Sequence, residues 1–240
     1  MRKTGGEEMR ILSFSGGKDS TYLLCNADKL NIDKVVFADT GLELPCVYEW
    51  LDYMEKITGY EIERLKPTKT FNELFFRDKK GKNPSIRGFP PHLGAGCWIR
   101  RDLKLDPMQK YPDATWILGL CKGEEKRMQE GFEYPLIEWG ITEKDVIKWL
   151  KKCGMYPPLY QLLEQYGGKK PRSGCWLCPK SNLAWCRLLY FEYPKLWEQL
   201  EELESKCTHG WKCDKTINDL ANRFDNSVYS NEQQKLEERK

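Results

Sequence analysis

Residues 10–24 constrain the fold more than any other stretch. The apolar run "RILSF" leads into the loop "SGGKDS", residues 15–20, and the loop leads into "TYLLCNADKL", where apolar residues recur at helical spacing. That order predicts a buried strand ending at Ser15, a tight turn, and a helix with Asn31 available as its stop. Gly16 and Gly17 allow backbone N–H groups to converge at the head of the helix, where the helix dipole adds partial positive charge. Lys18 supplies a full charge; Ser15 and Ser20 supply hydroxyls. The unit reads as an anion socket suited to phosphate. Asp19 beside a phosphate implies a Mg²⁺ ion or a part in holding the loop. An ordinary strand-to-helix turn is the plain alternative, but such a turn has no use for so many polar groups.

Spacing excludes two familiar phosphate loops. A Walker A loop needs Ser or Thr after Gly-Lys and a glycine five positions before its second glycine, where this chain has Asp19 and Leu12. The spaced glycines of a Rossmann turn are also missing.

The rest of the chain repeats the strand-then-helix order. "DKVVFADTG" predicts a second strand with a polar end at Asp39 and Thr40, and Pro45 opens a helix that closes on Gly59. "YEIERLKP" predicts a third strand, "TFNELFF" a short helix, and "ATWILGL" a fourth strand ending at Cys121. "FEYPLIEWG" adds a short strand before the helix of "TEKDVIKWLKKCG", with Thr142 as N-cap and Gly154 as stop. Such alternation implies parallel pairing through right-handed crossovers. Residues 77–96, rich in Lys, Gly and Pro, predict a long loop, and "CWIRRDLKLDPMQKY" predicts a helix with Pro107 as its weak point. A further helix is expected in "YPKLWEQLEELESKC", and the polar tail is expected to fray. The expected organisation is an α/β nucleotide-binding domain over 8–160, a cysteine-containing helical extension over 161–225, and a flexible tail over 226–240.

A chain of 240 residues with 40% hydrophobic and 12% aromatic content has material for a core. The net charge of +3 is far short of the bias that would by itself announce a nucleic-acid binder. No apolar run approaches the roughly 20 residues of a membrane span. The expectation is a soluble, cytoplasmic protein with no membrane partner; oligomeric state is not legible.

The loop and four later segments together carry a resemblance. "SGGKDS" after a strand resembles the PP-loop of the ATP pyrophosphatase superfamily. "FADTGLELPCVYEWL", "CWIRRDLKLDP", "WILGLCKGEEKRM" and "YPLIEWGITEKDVIKWLKKCG…PPLY" resemble, in order, motifs of its phosphoadenosine-phosphosulfate reductases and their sulfurtransferase relatives, including DNA-phosphorothioation enzymes. The resemblance covers roughly residues 10 to 200. It implies an adenine nucleotide alpha hydrolase-like parallel sheet flanked by helices, with a small cysteine-containing helical region after it. It also implies attack on the α-phosphate of ATP, giving AMP and pyrophosphate. Ser15, Gly16, Gly17, Lys18, Asp19 and Ser20 would then hold the outer phosphates, stabilising the leaving group as charge builds on it. Asp39, with Thr40 beside it, would contact Mg²⁺ or ribose, and Arg127 would contact phosphate or substrate. Lys18, Asp19, Asp39 and Cys121 are the expected catalytic set.

The ten cysteines point to metal, cluster or redox chemistry in a chain of this length. "GCWLCP" places Cys175 and Cys178 two residues apart, a spacing that lets two thiolates face one metal. Cys97 opens a motif that the resembled family also begins with cysteine, and Cys186 follows the pair closely. The expected metal set is Cys97, Cys175 and Cys178, with Cys186 or Cys121 as fourth ligand. An iron–sulfur cluster, [4Fe–4S], is expected ahead of zinc. Cys121 stands where the family commonly has an arginine: it is a ligand, a persulfide carrier, or the mark of a lost phosphate contact partly replaced by Lys122. A cluster with three cysteines and an open iron, and plain reduced thiols, stay open as well. Cys207, His209 and Cys213 form a weaker metal-like group, and His92 a weak substrate-facing candidate. The runs "RDKKGK" and "GGKKPR" read as solvated loops before nucleic-acid contacts.

Three functions follow. The first is an ATP-dependent sulfurtransferase acting on DNA, tRNA or a small molecule, with a partner protein supplying sulfur or electrons. The second is a sulfonucleotide reductase producing sulfite, though those enzymes typically lack this lysine and carry a C-terminal Glu-Cys-Gly segment absent here. The third is a non-catalytic nucleotide sensor.

Overall fold

The computed structural model describes residues 8–79, 85–91, 96–208 and 210–226. Five parallel strands form the sheet, β1 (Arg10–Ser13), β2 (Lys34–Ala38), β3 (Ile62–Leu65), β6 (Thr115–Ile117) and β7 (Phe132–Glu133), in the order β3-β2-β1-β6-β7. From β1 the chain builds outward to β3, then returns to place β6 on the opposite side of β1. The order therefore reverses between β1 and β6, and in an open parallel sheet the crevice at such a reversal is where ligands sit.

Burial on both faces explains why these strands read as continuous apolar runs. Leu12, Val35 and Phe37 join one core with the helices α1 (Lys18–Cys25), α2 (Pro45–Thr58), α6 (Glu143–Lys152) and α7 (Pro158–Gln165). Ile11, Val36, Ala38 and Trp116 face the other way, onto Met108 and Leu105. The first core runs on without interruption into Trp176, Trp185, Trp211 and Phe224, carried by the segments around α8 (Leu183–Glu192), α9 (Pro194–Ser205) and the helix at 217–226. The residues after 160 thus share their hydrophobic interior with the sheet.

Local punctuation falls largely where the residue types require it. Pro45 opens α2, and Gly59 closes it at φ +73°. Thr142 caps α6 in a reciprocal capping box with Asp145. The short helix α5 (Pro135–Glu138) joins β7 to that cap, and α3 (Phe71–Phe75) begins on a second capping box, Thr70 with Glu73.

Four expectations need correction. α1 ends at Cys25, not near Asn31, because Asn26 turns its side-chain amide onto the Tyr22 carbonyl; Asn31 does take a left-handed φ of +47°, after a 3₁₀ turn. The strand expected through Cys121 pairs only over Thr115–Ile117. Residues 77–96 are not wholly loop: β4 (Asp78–Lys79) and β5 (Ser85–Ile86) form an antiparallel ribbon. The helix expected after Cys97 runs as a π-helical segment, Ile99–Leu105, into the short α4 (Asp106–Met108), where Pro107 has no N–H to donate.

Candidate active site at the sheet reversal

Of the expected phosphate loop, Ser15 to Gly17 form the turn between β1 and α1 and Lys18 to Ser20 the first turn of α1, at the carboxyl edge where the strand order reverses. Gly16 sits at φ +68°, a conformation glycine adopts without strain, and a methyl group there would also meet Val47 at 3.1 Å. α1 opens at Gly17 with no side-chain cap, so its first-turn N–H groups are left for a ligand. Ser15 and Ser20 hold the loop: their hydroxyls are 3.2 Å apart, Ser20 Oγ donates to the Gly17 carbonyl, and the Ser15 amide donates to Ser20 Oγ.

Lys18 is buried at the head of the helix. Its ammonium donates to Asp19 Oδ2 at 2.8 Å and pairs with Glu143 Oε1 at 3.1 Å. Burial alone would lower its pKa, but the neighbouring Asp19, Tyr160 and Glu143 more than offset this and hold it above the usual lysine value. It stays fully charged.

Across the reversal, Gly119 follows β6. A methyl group there would stand 3.0 Å from the Asp19 backbone carbon and 3.0 Å from the Ser20 nitrogen, so only glycine lets α1 approach this closely. Two residues on, the buried Cys121 donates its thiol to Asp19 Oδ1 at 3.2 Å. Burial, then the Asp19 charge, raises its pKa far above the ordinary thiol value, so Cys121 is a protonated donor here. Its backbone N–H donates to Glu124 Oε2 at 3.1 Å, and Glu124 in turn pairs with the exposed Arg127. Arg127 therefore reaches the loop only through Glu124, Cys121 and Asp19.

Asp39 and Thr40 crown β2, the next strand. Asp39 Oδ1 accepts from the Gly41 amide at 3.0 Å and from the Tyr48 hydroxyl at 2.8 Å. Both residues are buried, and both line a cavity of about 860 Å³ together with Lys66, Lys69, Phe71 and Trp176.

A strap at 173–176 ties the cysteine pair to both loops. A methyl group on Gly17 would stand 3.0 Å from the Tyr160 hydroxyl and 3.1 Å from Ser173 Oγ, and the Ser173 amide donates to that same hydroxyl. Three residues on, the Trp176 amide donates to the Leu42 carbonyl at 2.8 Å, in the loop that follows Asp39. Cys175 lies between these two anchors. Its thiol is held well above the ordinary value by burial and then by the charges of Glu43, Cys178 and Cys97, and burial followed by Cys97 also raises Cys178. Cys186 is buried in α8 with its sulfur 3.9 Å from Ser181 Oγ. Among the described residues no group of three or more His, Cys, Asp or Glu side chains is gathered to hold a metal ion. All ten cysteines are free thiols. His92 and His209 lie outside the described residues.

Glu143, Tyr160, Ser173 and Gly119 escaped the sequence reading. Only the glycine within the expected strand "ATWILGL" carried a signal there. The other three reach the loop from segments remote in the chain.

A parallel sheet with a glycine-rich, lysine-bearing loop at its reversal point is the arrangement of an α/β domain of the PP-loop class. The chain belongs to the phosphoadenosine phosphosulfate reductase domain family, whose model matches residues 10–181. An uncharacterized protein of Methanocaldococcus jannaschii is 27% identical over an alignment of 214 residues, with 80% of this chain and 41% of that protein covered. An uncharacterized nin region protein of Escherichia phage lambda is 29% identical over 175 residues, 60% of this chain and 59% of that one. The chain thus spans less than two thirds of the length of either curated relative. A crystal structure of phosphoadenylyl-sulfate reductase from Candida auris, in a phosphate complex, is 15% identical with a TM-score of 0.48, covering 72% of this chain and 83% of that one. No described helix is long and apolar enough to cross a membrane.

Proposed function

We propose that this chain is an ATP-dependent sulfurtransferase, which adenylates a substrate oxygen with release of pyrophosphate and then delivers sulfur to the atom bearing that oxygen, the oxygen leaving as part of AMP. The observation that carries this reading is the strap: Ser173 against Gly17 and Trp176 on Leu42 hold Cys175 between the two loops that a nucleotide would contact. A thiol so placed has a use if sulfur must meet an adenylated substrate.

In this reading the amides at the head of α1 and the Lys18 ammonium take the β and γ phosphates, and they stabilise pyrophosphate as it leaves. Ser15, Gly16, Gly17 and Ser20 keep the loop in that shape. Asp19 and Glu143 place two carboxylates beside one ammonium, an excess of negative charge that a Mg²⁺ ion arriving with the nucleotide offsets. Asp39 and Thr40 face the nucleotide or its acceptor across the 860 Å³ cavity. Cys121 holds Asp19 in place, and Arg127 stiffens that contact through Glu124. Residues 8–160 act as the nucleotide-binding unit, 161–225 as its cysteine-bearing cover, and 226–240 as a tail.

An iron–sulfur cluster would be held by Cys97, Cys175 and Cys178. These thiols suit the group by chemistry, and Cys175 and Cys178 share one hollow, but among the described residues the three are not gathered into a metal-holding group, so loading requires them to converge. A cluster when bound would supply a place for labile sulfur. Cys121 is engaged by Asp19, which leaves Cys186, or no fourth cysteine, to complete the set.

The test is to incubate the protein with Mg²⁺, ATP and candidate DNA, tRNA or small-molecule acceptors and to identify the products. AMP with pyrophosphate, lost in Lys18→Ala, supports the reading. ADP with phosphate, or inertness across acceptors, counts against it. The family match keeps a second reading in view, a sulfonucleotide reductase, and sulfite formed from adenylyl sulfate with thioredoxin would establish that one.

A further inference from the structure

A hollow of about 270 Å³ opens beside the cysteine pair. Cys175 and Cys178 form part of its wall with Arg172, Lys180, Ser181 and Asn182. Its charge is one-sided: two cations line it and no carboxylate does. That is unlike the chain as a whole, which sets 39 Lys and Arg against 36 Asp and Glu. It is also unlike the 860 Å³ cavity, where Lys66, Lys69 and Lys206 face Asp39, Glu43 and Glu202. A small concave surface of one sign concentrates ions of the other. Asn182 caps α8, so the positive end of that helix borders the same space. The volume is under the roughly 300–1,000 Å³ of sites that enclose drug-sized ligands, so the guest is small.

We propose that this hollow receives a thiosulfonate-class anion as sulfur donor, with Arg172 and Lys180 holding its oxyanion end and its outer sulfur set against Cys175 and Cys178. A cysteine that has lost its proton to solvent takes the outer sulfur as a persulfide, while the S–S bond of the donor breaks and sulfite leaves. The proposal rests on the sulfurtransferase reading above. Ser173 belongs both to the wall of this hollow and to the contact over Gly17, so the strap joins the donor's entry to the phosphate loop. Arg172 and Lys180 are exposed, which leaves them free to meet an ion from solution and safe to replace without loss of the fold.

Thiosulfate is the probe, titrated into the full chain and followed by calorimetry, with mass spectrometry to score protection of Cys178 from alkylation. Saturable binding is expected, weakened about three- to fivefold in Arg172→Gln and in Lys180→Gln and more in the double variant, with protection of Cys178 lost in parallel. Sulfate should bind more weakly, and pyrophosphate should not compete. Equal binding of sulfate overturns the assignment to a sulfur donor. Displacement by pyrophosphate assigns the hollow to the nucleotide and overturns it too, as does affinity unchanged in both variants. Release of pyrophosphate from ATP, measured on the same preparation, separates this proposal from the one it rests on. Thiosulfate bound at the hollow without ATP cleavage leaves the site standing and the sulfurtransferase reading fallen; cleavage without thiosulfate binding does the reverse.

Discussion

Lys18 Nζ and Glu143 Oε1 stand 3.1 Å apart, so the ammonium that would hold pyrophosphate is already paired with a carboxylate from another helix. Together with Asp19, Glu143 sets two negative charges against one positive one. An arriving anion must displace Glu143 or bring a cation with it. In Glu143→Gln, pyrophosphate without Mg²⁺ should therefore bind about two- to fivefold tighter, the range expected for a partly exposed ion pair. Calorimetric titration checks this, and unchanged or weaker binding would separate Glu143 from the anion site. Thermal stability should fall slightly, since an acidic residue in the first turn of α6 is lost.

Gly119 gives a second prediction. Its missing side chain is what lets β6 and the head of α1 meet, and the atoms in the way are backbone, which cannot rotate aside. Gly119→Ala should cost about 1–3 kcal/mol in denaturant unfolding and weaken pyrophosphate binding together with stability. Full stability would show that the loop can retreat at little cost.

The Cys121–Asp19 contact predicts a pH response. Burial and the Asp19 charge both favour the neutral thiol. Asp19→Asn removes a negative neighbour and leaves the Lys18 charge nearby, so the thiolate forms at lower pH. Alkylation of Cys121, read by mass spectrometry against the exposed Cys153 and Cys213, should begin at lower pH in the variant. An identical onset would mean that burial alone controls this thiol.

Glu63 ties β3 to the far side of the sheet. It accepts from Lys110 at 2.6 Å and Tyr111 at 2.7 Å and pairs with Lys34 at 2.9 Å. Burial pushes its carboxyl up, but these partners outweigh burial and bring it down to about 2. A lowered folded-state value means that the stabilisation is complete above the unfolded value near 4.5 and fades as pH falls through about 2. Glu63→Gln should thus cost on the order of 1 kcal/mol at neutral pH and nothing at the acid end. A difference independent of pH would assign the effect to packing.

Features written within a few neighbouring residues were legible in the sequence. The loop at 15–20, the polar end of β2 at Asp39, the Thr142 cap and the Gly59 stop each depend on local chemistry, and the structure places each where the residues suggest. Contacts that close over long stretches of chain were not legible. Glu143 reads from sequence as an ordinary first-turn acid, and nothing near Ser173 or Tyr160 announces a contact with Gly17. α1 ends earlier than the apolar spacing implies because Asn26 satisfies the Tyr22 carbonyl first. The cysteine pair was visible by spacing, but its position between the two loops follows from Ser173 and Trp176, whose partners only the fold supplies.

The most direct test of the central claim is a crystal structure of the protein with a non-hydrolysable ATP analogue and Mg²⁺. The β and γ phosphates are expected over Gly16, Gly17 and Lys18, within hydrogen-bond reach of the amides that open α1, with Lys18 turned from Glu143 onto phosphate oxygen. A nucleotide bound with its phosphates away from that loop, or a loop that stays closed on Glu143 at saturating nucleotide, would contradict it.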